Sequence, residues 1–476
     1  MNQEKEFKEA AEKKAFDIKH RNTINFNMGR YHTSVDKGLQ QYEDHDLARS
    51  RAAYIKTQTI ENLDKHLLEF EENFTKRGGK VIWAENHVQA LHEIDKIFRA
   101  NEAKMVVKSK SMTTEEIHLN EYLEEQNVEV VETDLGEYIV QLAGQKPYHI
   151  VTPAMHLSRQ DVSKIFQEKL DTPPTDDATE LTLTARRLLR EKYTQAKIGI
   201  TGGNFLVADV GGVAITENEG NARLSVSFPK VHIAIVGIEK VIPRMEDLDL
   251  FWSLLSTSGT GQRLTVYNSI LTGPRQFEEK DGERKYTETD GPEEMYVVLL
   301  DNGRTKLLAD EAKRQGLNCI RCGACLNACP VYKNIGGHTY NTTYSGPIGS
   351  IITPHYAGME KFKHLSYASS LCGACATVCP VKIDIPKQLL LNRHQSVKQK
   401  LPTRSERIGF KLWKRGMKKR KRMDMVGSGL KNMVFKRFFK KTWGKRRENI
   451  EVANKSFAQL WKEQQKANNK KGKKGK

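Results

Sequence analysis

All seven cysteines of this 476-residue chain lie between Cys319 and Cys379. The first four read Cys319-Ile-Arg-Cys322-Gly-Ala-Cys325-Leu-Asn-Ala-Cys329-Pro330, with spacing C-x2-C-x2-C-x3-C-P. Soft thiolates suit iron, and spacers this short let three ligands wrap one [4Fe-4S] cubane. The remaining three read Cys372-Gly-Ala-Cys375-Ala-Thr-Val-Cys379-Pro380. Superposing the two C-x3-C-P ends puts Ser369 where a leading cysteine would stand, so seven thiolates face eight ligand positions. In two-cluster ferredoxins the cysteine before proline ligates the other motif's cluster. By that exchange one [4Fe-4S] cluster takes Cys319, Cys322, Cys325 and Cys379. The second takes Cys329, Cys372 and Cys375 and lacks a fourth thiolate. It is then a [3Fe-4S] centre, or a [4Fe-4S] centre completed by Ser369, a histidine such as His355 or His364, water or a partner's group. Paired C-x2-C knuckles also bind zinc, but a zinc site would use four of the seven cysteines and leave three unexplained.

Other polar groups invite chemistry less strongly. The run Thr216-Glu217-Asn218-Glu219-Gly220-Asn221 follows an apolar β run, and a carboxylate at a strand's end can serve as nucleophile or base, which makes Glu217 the catalytic candidate. A polar turn explains the same residues. Lys108-Ser109-Lys110-Ser111 precedes a helix for which Thr113 and Glu116 have capping-box spacing, and its lysines could receive an anion. No G-x-G-x-x-G is present for a flavin or nicotinamide. His338, His355 and His364 fall between the motifs and are read as hydrogen-bonded or surface residues before they are read as ligands.

The elements that must position these groups follow from periodicity. Residues 1–74 read as an N-terminal helical segment, with Leu63, Leu67, Leu68 and Phe70 on an apolar stripe. Residues 75–303 read as one α/β domain. Short β-rich runs at Lys80–Trp83, Lys104–Val107, Val128–Val131 and His149–Thr152 alternate with helical stretches, the rhythm of a parallel sheet. Further runs lie at Lys197–Ile200, Phe205–Ala208, Gly212–Ile215, His232–Gly237 and Tyr296–Leu300. Residues 304–392 form the cysteine-bearing segment, mostly helical, and 393–476 a basic, helix-prone tail whose end, 470–476, is expected to be disordered.

Composition narrows the class. With 38% hydrophobic and 29% charged residues, no run nears the roughly 18 apolar residues of a membrane span. The amino terminus lacks the apolar core of a secretory signal, so a cytoplasmic location is expected. The net charge of +18 is uneven: residues 401–476 hold 26 Lys and Arg against 5 Asp and Glu, leaving 51 against 54 in the first 400. Lys418–Arg422 and Leu430–Trp443 mix bases with aromatics, which favours peripheral contact with a membrane surface or an acidic partner subunit. Nucleic acid is not expected, because no nucleic-acid module accompanies the charge.

Taken with the cysteine motifs, the stretches Lys108–Ile117, Glu132–Ile139 and Thr201–Asn221 resemble the lactate utilization protein B family over nearly the whole chain. The resemblance implies an α/β domain related to the sugar-phosphate isomerase and CoA-transferase fold, followed by a two-cluster ferredoxin-like domain and a helical tail. It also implies the iron–sulfur subunit of a cytoplasmic system that oxidises L-lactate to pyruvate with two other subunits, the electron acceptor being unidentified. The alternative is an α/β transferase or isomerase with structural or redox-sensing clusters. Glu-Asn followed by glycine resembles the glutamate motif of CoA transferases, but Glu219 interrupts it here.

Overall fold

A computed structural model of the chain describes residues 3–280, 283–287, 290–440, 444 and 447–474. It divides into two compact units, one ending at Ser396 and one beginning at Val397.

The first unit opens with four helices, Gln3–Ala15, Ile18–Leu39, His45–Glu61 and Leu63–Thr75. Asp17 and Asp44 cap the second and third by accepting hydrogen bonds from His20 N and Leu47 N. The fourth buries Leu63, Leu67, Phe70 and Phe74, a 3.6-residue stripe. Leu68, expected on that stripe, points outward because it sits one residue off it.

Among the described residues twelve strands follow: β1 (Lys80–Ala84), β2 (Met105–Lys108), β3 (Glu129–Glu132), β4 (Ile198–Gly202), β5 (Phe205–Val207), β6 (Gly212–Glu217), β7 (Val231–Gly237), β8 (Val241–Ile242), β9 (Tyr267–Leu271), β10 (Phe277–Lys280), β11 (Glu283–Tyr286) and β12 (Glu294–Leu300). Six form an all-parallel sheet in the order β1-β12-β7-β4-β2-β3. Its middle strands are buried on both faces, which is why they read as continuous apolar runs. A four-stranded sheet, β8-β5-β6-β9, and the β10-β11 hairpin complete the strands. The chain leaves β2 toward β3 on one side and returns to β4 on the other, so the carboxyl ends of β2 and β4 bound a topological switch point, where open α/β sheets bind ligands.

The run His149–Thr152 is not a strand. His149 Nδ1 accepts hydrogen bonds from Val151 N at 3.1 Å and Thr152 N at 3.3 Å, and Tyr148 N donates to Pro153 O at 2.9 Å. These bonds take the backbone donors a ladder would need, and the resulting loop packs on the first cysteine motif, with Val151 and His149 against Gly323.

The cysteine-bearing residues are short helices and turns. One hydrophobic core holds Ile24 and Phe74 from the amino-terminal helices, Phe205 and Phe251 from the α/β region, and Cys325, Leu326 and Ile351 from the cysteine-bearing region. The amino-terminal helices also grip that region through polar atoms. Arg49 donates to the carbonyls of Cys379 at 2.9 Å and Thr377 at 2.8 Å, and Asn318 donates to Thr57 Oγ1 at 2.9 Å.

The second unit is helical, with Arg404–Met417 and Ser428–Val434 among its helices. Within Leu430–Trp443, residues 441–443 lie outside the described residues. The final helix, Phe457–Lys474, runs through most of the end expected to be disordered, and residues 475–476 lie outside the described residues. Among the described residues no helix is long and apolar enough to cross a membrane.

Candidate iron–sulfur site

Both cysteine motifs fold into the same turn. Arg321 and Gly323 flank Cys322 with φ of 63° and 80°, and Leu371 and Gly373 flank Cys372 with φ of 56° and 86°. A left-handed residue on each side of the central cysteine curls the chain tightly enough to turn neighbouring thiols inward, and glycine is the residue that bears this conformation without steric cost.

The thiols stand in two groups that cross the motifs. Cys322 and Cys325 lie within electrostatic reach of Cys319 and Cys379, and Cys375 within reach of Cys329 and Cys372. No cysteine is in a disulfide. Burial, then mutual repulsion, pushes the Cys322 and Cys325 thiols far up. Cys375 and Cys379 are pushed up to about 11, in each case chiefly by burial. Exposed Cys372 is lowered, first by the backbone N–H of Ala374. Thiols grouped in four and three, most of them buried and held neutral by burial, become thiolates when metal charge offsets them, and soft sulfur donors so grouped fit iron–sulfur clusters. Among the described residues no three His, Cys, Asp or Glu converge as ligands of a single ion must; the ligands of a cluster bind separate irons and need not. Backbone N–H groups of Arg321, Tyr332 and Ile383 lie 3.4, 3.5 and 3.4 Å from the sulfurs of Cys319, Cys329 and Cys379. Such bonds tune cluster potentials.

Ser369 takes the position of Cys319 in the repeat. Its Oγ accepts from Leu371 N at 3.1 Å, the counterpart of the Arg321 N to Cys319 Sγ bond at 3.4 Å. A small cavity is bounded by Cys329, Cys372, Cys375, Ser369 and Ser370. The histidines are placed elsewhere. His355 Nε2 bonds Asn392 Oδ1 at 2.8 Å, His364 lies between Phe7 and Phe362, and His338 bonds Lys146 O at 2.7 Å.

A buried charge network adjoins the first thiol group. Glu239 faces Arg304 and, at 3.1 Å, Arg321; Arg304 also makes a two-pronged contact with Glu116 at 2.8 and 2.9 Å. Tyr344 donates to Glu116 at 2.7 Å, and buried Lys56 donates to the carbonyls of Glu239 and Val241 at 2.7 and 3.0 Å. Burial pushes Glu239 up, but Arg304 and then Arg321 overcome it and hold the carboxyl at about 2. Burial lowers Lys240 to about 8.

A cavity of about 660 Å³ lies at the switch point, walled by Lys110, Gly202, Glu217, Lys240, Arg321 and Cys322 among others. Glu217 reaches it, but its two oxygens accept hydrogen bonds from Ala222 N at 2.6 Å and Arg223 N at 3.0 Å, anchoring the helix Asn221–Ser227. Burial raises this carboxyl although both backbone bonds pull it down. Of the two lysines expected to receive an anion, only Lys110 lines the cavity. Lys108 is buried in a 2.7 Å pair with Glu132, because its side chain leaves the strand toward the core. The cap of the helix Met112–Glu116 is Ser111, not Thr113, since Ser111 Oγ accepts from Thr114 N; Glu116 is drawn away by Arg304. Sequence reading missed Lys240, Arg321 and Glu239. The only signal for Arg321 was its position inside the first motif.

The fold and the thiol groups define a two-cluster iron–sulfur protein built on a parallel-sheet α/β domain. Comparison with known families agrees: the LUD domain matches residues 67–300 and the 4Fe-4S dicluster domain residues 315–383. The proteins named lactate utilization protein B from Bacillus thuringiensis (strain Al Hakam), Bacillus cereus (strain AH187) and Bacillus anthracis (strain A0248) are each 44% identical over 398 residues, covering 83% of this chain and 82% of theirs. The chain belongs to the lactate utilization protein B family. A solved DUF162 family protein from Deinococcus radiodurans covers 50% of this chain and 98% of its own at 11% identity and a TM-score of 0.28.

Proposed function

We propose that this chain is the electron-carrying subunit of a multi-subunit system that oxidises L-lactate to pyruvate. One [4Fe-4S] cluster is held by Cys319, Cys322, Cys325 and Cys379. The other is held by Cys329, Cys372 and Cys375, with Ser369 at its fourth corner. The observation that carries this reading is the crossing of the motifs: Cys379 lies within electrostatic reach of Cys322 and Cys325, and Cys329 lines one small cavity with Cys372 and Cys375. Lactate oxidation releases two electrons, whereas such clusters move one at a time, so a two-cluster relay suits the task. The first thiol group lies beside the large cavity and the second ends in exposed Cys372, which supports entry at one cluster and exit at the other. The basic tail meets an anionic membrane surface or an acidic partner subunit.

The test is anaerobic. L-lactate added with the two partner subunits should bleach the visible cluster absorbance of the reconstituted chain. An unchanged spectrum, with transferase turnover abolished by Glu217→Gln, would favour the transferase reading instead.

A further inference from the structure

The cavity at the carboxyl ends of β2 and β4 is walled by cations whose bonding capacity the protein leaves incompletely used. Arg321 is 9% exposed; its Nη2 bonds Glu239 at 3.1 Å and its guanidinium lies 4.6 Å from the Tyr344 ring centroid, while buried Nη1 has no hydrogen-bond partner. Lys240, 8% exposed, makes no hydrogen bond or ion pair among the described residues, and neither does Lys110 on the same wall. A buried charged donor left unpaired is costly, so Arg321 Nη1 marks a place where a ligand would complete the bonding. Elsewhere the wall is acidic. Asp134 and Glu219 lie against each other, and Glu219 accepts from Leu135 N at 3.0 Å. A ligand with one negative charge at the Arg321 end and a neutral polar group at the other satisfies both walls, whereas a dianion meets repulsion.

We infer that this cavity binds a monoanionic 2-hydroxy- or 2-oxocarboxylate, its carboxylate on Arg321 and Lys240 and its remaining atoms beside Cys322. The inference rests on the electron-carrier reading, which requires a substrate-class ligand near one cluster. The volume of about 660 Å³ falls in the usual range for small-molecule sites and admits acids longer than three carbons. A guanidinium with an ammonium suits carboxylate and phosphate alike, and the acidic far wall of Asp134 and Glu219 is what disfavours the more highly charged phosphate.

The experiment is calorimetric titration of the full, cluster-loaded chain, alone and anaerobic, with pyruvate, L-lactate and inorganic phosphate. Saturable binding of pyruvate or L-lactate is expected, undisturbed by phosphate. Lys240→Gln should weaken it about tenfold or more with iron content unchanged. Arg321→Gln should do the same; should that variant lose iron, Lys240→Gln decides, because it lies outside the motif. No saturable binding, unaltered affinity in Lys240→Gln, or preference for phosphate overturns the inference. So does a variant whose cluster potential moves while acid binding does not, since the cations would then serve only to offset cluster charge. The titration uses no partner subunit. Binding without lactate-driven bleaching would sink the electron-carrier reading alone, and bleaching without binding this one alone.

Discussion

Ser369 differs from Cys319 by oxygen for sulfur at a matched place in the repeat, with a matched bond to the amide two residues on. Ser369→Cys should therefore supply an eighth thiolate, making the second cluster slower to lose iron to a chelator and changing its paramagnetic resonance signal while leaving the first cluster's signal in place. A second signal indistinguishable from wild type would put the fourth corner elsewhere. Glu239 makes a stability prediction at the same scale. Its folded pKa of about 2 lies below the roughly 4.3 of an unfolded glutamate, so its contribution is full above about pH 4.3 and drains away as pH falls toward 2. Glu239→Gln should lower the urea midpoint near pH 7 and flatten the acid limb of the wild-type stability profile; parallel profiles would refute the pairing. The cysteines were legible in the sequence because their chemistry is written in spacing. Glu239, Lys240 and Arg321 were not, since a buried cation and its distant carboxylate leave no periodic trace. Lys108 misled for the related reason that a lysine inside a strand looks the same whether it faces solvent or Glu132.

At the scale of elements, the two cysteine turns share a backbone but not their surroundings. Alanine at Gly323 or Gly373 meets the same left-handed penalty of about 1–2 kcal/mol. A Cβ at Gly323 would also meet Val151 at 3.0 Å and His149 at 3.3 Å, whereas nothing lies within 4 Å of one at Gly373. Gly323→Ala should thus lose more iron than Gly373→Ala after identical anaerobic reconstitution, and equal loss would locate the constraint in the turn alone. The strands of the parallel sheet were readable because burial on both faces demands apolar runs. His149–Thr152 has the composition of such a run, yet the imidazole takes its amide donors and the segment becomes the floor under Gly323. The amino-terminal helices were readable as helices but not as holders of the second motif. Arg49 does that through carbonyl contacts that any sequence at 376–379 would offer.

For the whole molecule, charge is sorted between the two units. The basic excess of the sequence belongs to residues 401–476, and there aromatic and apolar side chains stand exposed beside it, with Phe410 at 64%, Trp413 at 60% and Phe438 at 71%. The first unit also exposes apolar side chains, Ile18 and Phe26 among them, but without a basic excess beside them, and its cysteines belong to an apolar core. A tail meant only for solubility has no need of exposed tryptophan, whereas a surface helix meeting anionic lipid uses apolar and basic groups together. Each base near such a surface contributes about 1 kcal/mol, screened by salt within a Debye length of roughly 8 Å at physiological ionic strength. The full chain should therefore sediment with vesicles containing anionic lipid, and not with zwitterionic ones. Raising ionic strength to about 1 M, where the screening length shrinks to about 3 Å, should release it. Removal of residues 401–476 should abolish sedimentation while the clusters remain. Equal sedimentation with and without the tail would assign the contact to the first unit, and release by the partner subunits rather than by salt would make the tail a subunit contact instead.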